Sequence, residues 1–157
     1  MAGSDAAERG SPAERGPRHP GLSHHEVLAS GGWHPRYARV LITASDGDYG
    51  FALVDGNGDG AELEEELWLW EDGPGGHGRW QPGSSSGAGP LDHLPTLAAG
   101  GHIGPAYFAY GRVPWAESVT IEFEQRRYEM PVVSQLGVWG FIRAAAGPHP
   151  GLPALVS

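Results

Sequence analysis

Between residues 118 and 124, Val119, Ile121 and Phe123 alternate with Thr120, Glu122 and Glu124. A period of two is the mark of a β-strand with one buried face, because successive side chains leave the pleat on opposite sides. Gln125-Arg126 then offers a short turn, and Tyr128, Met130 and Val132 alternate in a return strand. Residues 137–143 add a third strand carrying Val138, Trp139, Phe141 and Ile142. Short connections between consecutive strands predict an antiparallel meander. No alternation of strand and helix patterns occurs, which argues against a parallel sheet of the nucleotide-binding type.

The same signals recur upstream. Val40, Leu41, Ile42 and Thr43 suit a pleated, half-buried surface, and Ser45-Asp46-Gly47-Asp48 reads as a tight turn into a partner strand at 49–55. Residues 67–72 and 79–82 flank a Gly-rich turn at 73–78, and residues 107–113 run into Pro114. The expectation is a mainly β fold. It is an antiparallel β-sandwich or small barrel of about eight short strands, with at most one or two short helices. Ser23 followed by Glu26 has capping-box spacing and predicts one helical turn ending at Gly31-Gly32. Residues 61–72 fit two states: a helix with Leu63, Leu67 and Trp70 on one face, or a strand. Residues 83–102 are Gly-, Ser-, Ala- and Pro-rich and read as a long loop pinned by Leu91, Leu94 and Leu97.

Domain limits follow from composition. The 157 residues suit one domain, and 26 Gly with 14 Pro imply unstructured portions. Residues 1–20 are mostly Ala, Gly, Ser, Pro, Glu and Arg with no periodicity, so a disordered tail is expected there. Residues 21–143 form the single β-rich domain, and residues 144–157, with three prolines, read as a loose C-terminal tail. There is no Cys, which excludes disulfides, thiolate chemistry and Cys-bound zinc. No apolar run follows the N-terminal arginines and no apolar stretch suffices to span a bilayer, so a cytoplasmic chain is expected. All ten basic residues are Arg and Asn57 is the sole Asn, a bias fitting a GC-rich genome.

The net charge of −9 is concentrated. Residues 40–78 hold ten acidic residues and no Arg, while the two flanking portions are close to neutral. Such a chain is a poor partner for nucleic acid or for anionic membranes, both of which are bound through Lys and Arg. A cationic protein partner fits the central segment better.

Several motifs invite sharper assignments. Asp55, Asn57, Asp59, Gly60 and Glu66 stand at positions 1, 3, 5, 6 and 12 of a calcium-loop spacing. Glu62 occupies the usually apolar eighth position, and the preceding segment reads as a strand, so a solvated hairpin loop competes. Gly83-Ser84-Ser85-Ser86-Gly87 fits the nucleophile-elbow pattern, with Asp92 and then His93 or His102 in hydrolase order. The Ala88-Gly89-Pro90 that follows prevents the helix an elbow needs, and a flexible Ser/Gly loop is the simpler assignment. His24 and His25 are adjacent and share no helix face, His19 lies in the tail, and His34, His77 and His149 lie near Gly or Pro in expected turns, so all read as surface residues. Trp68 and Trp70 would share a face if residues 67–72 are a strand, which suits sugar stacking as well as core packing. Glu64-Glu65-Glu66 reads as a solvated charge run.

Gly111-Arg112-Val113-Pro114, residues 118–123, Pro131-Val132-Val133 and residues 137–141 resemble the C-terminal part of small uncharacterised β-rich proteins from actinomycetes. Gly78-Arg79-Trp80, residues 84–87 and Gly89-Pro90 resemble their middle. The likeness spans residues 35–143 and implies a fold and a GC-rich source, but no activity and no site residues. No catalytic, cofactor-binding or metal-binding residue is therefore assigned. The expectation is a non-catalytic binding or protein-interaction β domain with an acidic central surface. The alternatives are a calcium-binding loop at 55–66 that stabilises the domain, and an enzyme with a loop-built site in 83–113.

Overall fold

The computed structural model describes residues 19–156, so the tail expected at 1–20 lies outside the described residues except for His19 and Pro20. Helix α1 (His24–Ser30) begins where the capping box places it. Ser23 Oγ accepts the Glu26 N–H at 3.1 Å, which satisfies a donor that has no partner within the first turn. Gly31 ends the helix after seven residues, two turns rather than one.

Ten strands follow among the described residues, in three open antiparallel sheets. β1 (Arg39–Asp46), β2 (Tyr49–Asp55), β3 (Leu63–Asp72) and β4 (Gly78–Gly89) form the first sheet, in chain order. The second has the order β5 (Ala98–Ile103), β6 (Ala106–Arg112), β9 (Val138–Ala144). The third has the order β10 (Ala154–Leu155), β7 (Ser118–Phe123), β8 (Arg126–Pro131). The arrangement is sandwich-like, and no sheet closes into a barrel. No helix among the described residues is long and apolar enough to cross a membrane.

Alternating side chains create three layers of core. The first lies between the first and second sheets and contains Phe51, Leu53, Leu63 and Leu67 against Phe108, Tyr110, Val138 and Ile142. The second lies between the second and third sheets and joins Ala109, Trp139 and Phe141 to Val119, Ile121 and Phe123. The third packs Leu22 and Val27 against Ala52, Val54, Trp68 and Trp80 on the outer face of the first sheet. β6 and β9 therefore bury both faces. Gly140 makes the first contact possible, since a Cβ there would stand 3.1 Å from the Phe51 ring and 3.4 Å from Ile42.

Of the two states open to residues 61–72 the strand forms, as β3, so the exit helix of a calcium loop does not. The structure departs from the sequence expectations at four places. The long loop expected at 83–102 is largely strand: β4 runs to Gly89, and β5 begins at Ala98. Those stretches have few large side chains, and their strands are fixed by pairing with β3 and β6 rather than by their own apolar pattern. Within the tail assigned to 144–157, Ala154 and Leu155 pair with Glu122 and Ile121, and Leu155 packs on the second core. The β7–β8 turn is Glu124-Gln125, both with positive φ, one residue earlier than expected. His19, assigned to the tail, is 9% exposed and stacks on Trp70 with ring centroids 3.9 Å apart.

Candidate functional site

β3 presents its three consecutive glutamates to different places. A strand sends neighbours to opposite faces, so Glu65 points toward the second sheet while Glu64 and Glu66 point toward the α1 side. Glu65 lies at the wall of a cleft of about 320 Å³ between the first two sheets. The rest of the wall is Ala98, Ala99, Gly100 and Gly101 of β5 with Phe108 and Tyr110 of β6. Gly100 is the bulged residue of β5, skipped in the pairing between Ala99 and Gly101, and its φ is +129°. Gly101 lies under the Phe108 ring, where a Cβ would come within 2.5 Å of a ring carbon.

The Tyr110 hydroxyl donates to Glu65 Oε2 at 2.5 Å. Burial, and then the Glu65 carboxylate, push the Tyr110 hydroxyl well above its ordinary value of 10.0, so it remains a donor. Phe108 and Tyr110 lie parallel, with centroids 6.2 Å apart and planes 2° apart, and Phe51 backs both at 5.3 and 5.4 Å. The described Arg ion pairs are Arg127–Glu122 and Arg143–Asp46, and His19 contacts Asp48, so none of these side chains reaches Glu65. The cleft thus joins an oriented half-buried carboxylate to two stacked rings and an open glycine backbone. Charge and hydrogen-bond acceptance at Glu65 are what hold a cation.

Glu66 has a different setting. Its Oε2 accepts from Trp33 Nε1 at 2.9 Å and its Oε1 from Trp68 Nε1 at 3.1 Å. Burial is the largest influence and holds the carboxyl above its ordinary 4.5, against the lowering effect of the two indoles. Trp33 also lines a second hollow of about 330 Å³ with His25, Leu28, Ala29 and Pro35.

The 55–66 motif folds as a hairpin loop. Asp55, fully buried, accepts the Gly58 N–H at 3.0 Å and the Gly60 N–H at 2.7 Å, one on each carboxylate oxygen. Asp59 accepts from Ala61 N–H at 3.0 Å, and Glu66 is held by the indoles. The loop's carboxylates thus organise backbone and indole donors. Among the described residues no three His, Cys, Asp or Glu side chains gather as a metal site.

Gly83-Ser84-Ser85-Ser86-Gly87 lies within β4 rather than on a strand-to-helix turn, and its serines are exposed. Asp92 and His93 sit in a short 3-10 turn at Leu91–His93, and His102 bonds the Gly104 carbonyl. Trp68 and Trp70 do share a face, but Trp68 is fully buried and His19 covers a face of Trp70. No open platform of paired indoles results. In the acidic segment, Asp46, Asp48, Asp55, Asp59, Glu65, Glu66 and Asp72 all have hydrogen-bonding partners within the fold. Those contacts orient the carboxylates and leave the charge of the segment in place.

The Glu65–Tyr110 pair joins residues 45 apart in the chain and has no local sequence signal. Only the face alternation of β3 separates Glu65 from its neighbours, and it is usable once that segment is known to be a strand. No family model, curated protein or solved structure matches this chain.

Proposed function

We propose that this chain is a non-catalytic binding domain that takes up a cationic group, a guanidinium or an ammonium, in the cleft between the first two sheets. One observation carries the reading: Glu65 is half-buried, is oriented by Tyr110 through one oxygen, and has no cation beside it among the described residues. Its Oε1 is left to accept a charge-assisted hydrogen bond, while Phe108 and Tyr110 form the buried apolar wall beside it. The negative balance of residues 40–78 would steer a cationic partner toward this side.

The test is titration with N-acetylarginine methylamide, followed by amide chemical shifts. Shifts are expected around Glu65, Gly100 and Gly101, with affinity falling as salt rises. Glu65→Gln should abolish saturable binding. Salt-insensitive binding, or binding unchanged by that substitution, refutes the reading.

A further inference from the structure

Resting on that reading, we infer that the cation belongs to an extended peptide that adds a strand to the outer edge of β4. β4 is the terminal strand of the first sheet, so among the described residues its outer edge pairs with no other strand. Its pairing with β3 is regular over residues 84–87, between register shifts on either side. All four of these residues are exposed, and none is charged or Pro. Charges, prolines and bulges are the usual means of blocking strand addition at an edge, and this run lacks all three. The peptide would exchange main-chain hydrogen bonds with the edge, the most general form of peptide recognition by a sheet.

The register links the edge to the cleft. Ser86 stands directly opposite Glu65, so their side chains share a face. A peptide residue opposite Ser86 would project from that same face, about 10 Å from the Glu65 backbone at two strand spacings. The small Ser86 side chain leaves the path clear. A long cationic side chain and Glu65 can span that distance together, and a short one cannot. On the opposite face Gly87 stands opposite Glu64, half-buried, so the adjoining peptide residue meets a second carboxylate across a residue with no side chain.

Charge also decides between occupants. A second copy pairing edge to edge would present its own Ser84–Gly87, which carry no cation for Glu65. A peptide with one or two Arg or Lys residues is complementary to the same edge.

The test uses the full chain and an acetylated, amidated heptapeptide of alternating Thr and Val around a central Arg. Two further peptides carry N-methyl groups on one or the other set of alternate amides, with side chains unchanged. The parent peptide should bind roughly tenfold or more tightly than N-acetylarginine methylamide, since added main-chain bonds contribute on top of the cation. One N-methylated peptide should lose that gain and the other keep it, because alternate amides face the edge. Equal binding of all three peptides, or no gain over the single amino acid derivative, overturns the edge assignment and leaves the cation site standing. Absence of binding by the amino acid derivative and the peptides alike overturns both. A doubling of mass in sedimentation without peptide that Ser85→Lys abolishes also overturns it, because the edge is then taken by a second copy.

Discussion

Replacing Asp55 with Ala removes the acceptor of two loop N–H groups at once, those of Gly58 at 3.0 Å and Gly60 at 2.7 Å. Asp55 is fully buried at the end of β2, and the two glycines are half-buried. A hydrogen bond to a charged group contributes about 1.5–3 kcal/mol when its partner cannot be replaced. Water reaches the glycines in part once the carboxylate is gone, so the lower end applies, and the expected loss is about 2–4 kcal/mol. Asp55→Asn keeps one acceptor but turns an amide N–H toward one of the loop donors, so it should recover only part of the loss. Urea unfolding measures this as a lower midpoint at constant slope, in EDTA and in millimolar calcium. The loss should be the same in both, because the carboxylate's partners are backbone donors. A loss under about 0.5 kcal/mol would refute the capping role, since that is the ordinary range of surface substitutions. A stability gain on adding calcium that Asp55→Ala abolishes would show that the loop binds the ion instead.

Further expectations concern single residues. Burial holds the Glu66 carboxyl above 4.5, so the fold binds that proton more tightly than the unfolded chain does. Lowering the pH from neutral through the raised value toward 4.5 therefore favours the fold at this residue; Glu66→Gln should remove that component from the pH dependence of the urea midpoint, and an unchanged profile refutes it. Backbone N–H groups of Ala146 and Gly147 hold the Glu124 carboxyl below its ordinary value, so its stabilising effect is present above 4.5 and is lost as pH falls through the lowered value. Glu124→Gln should speed amide exchange at Ala146 and Gly147 near neutral pH, and unchanged protection would contradict the assignment. Gly140→Val should lower stability by about 1–3 kcal/mol in thermal or urea unfolding, because its side chain meets Phe51 and Ile42; a neutral result would mean the two sheets can separate without cost.

The β7–β8 hairpin was legible because its strands have one wet face: β7 alternates half-buried and buried residues along its whole length. β6 and β9 hid their alternation because each lies between two cores, so both Phe108 and Ala109 are buried. β3 resisted assignment for a related reason. Glu65 and Glu66 are adjacent, yet one meets a tyrosine of another sheet and the other two indoles, so the charge run carried no periodic signal. β5 contains two Ala and two Gly and becomes a strand through its partner β6. The candidate site was split in the sequence between the acidic segment and residues 83–113, which read as separate possibilities. Their meeting at Glu65 and Tyr110 depends on sheet stacking, which no local pattern encodes.

The most direct test of the account compares N-acetylarginine methylamide with its uncharged citrulline analogue, each on the native chain and on Glu65→Gln. The four affinities form a cycle that isolates the interaction between the ligand's charge and the Glu65 carboxylate. A coupling of about 1 kcal/mol or more is expected for an oriented, half-exposed carboxylate. A coupling of zero, with arginine and citrulline bound alike, would contradict a cation site in this cleft.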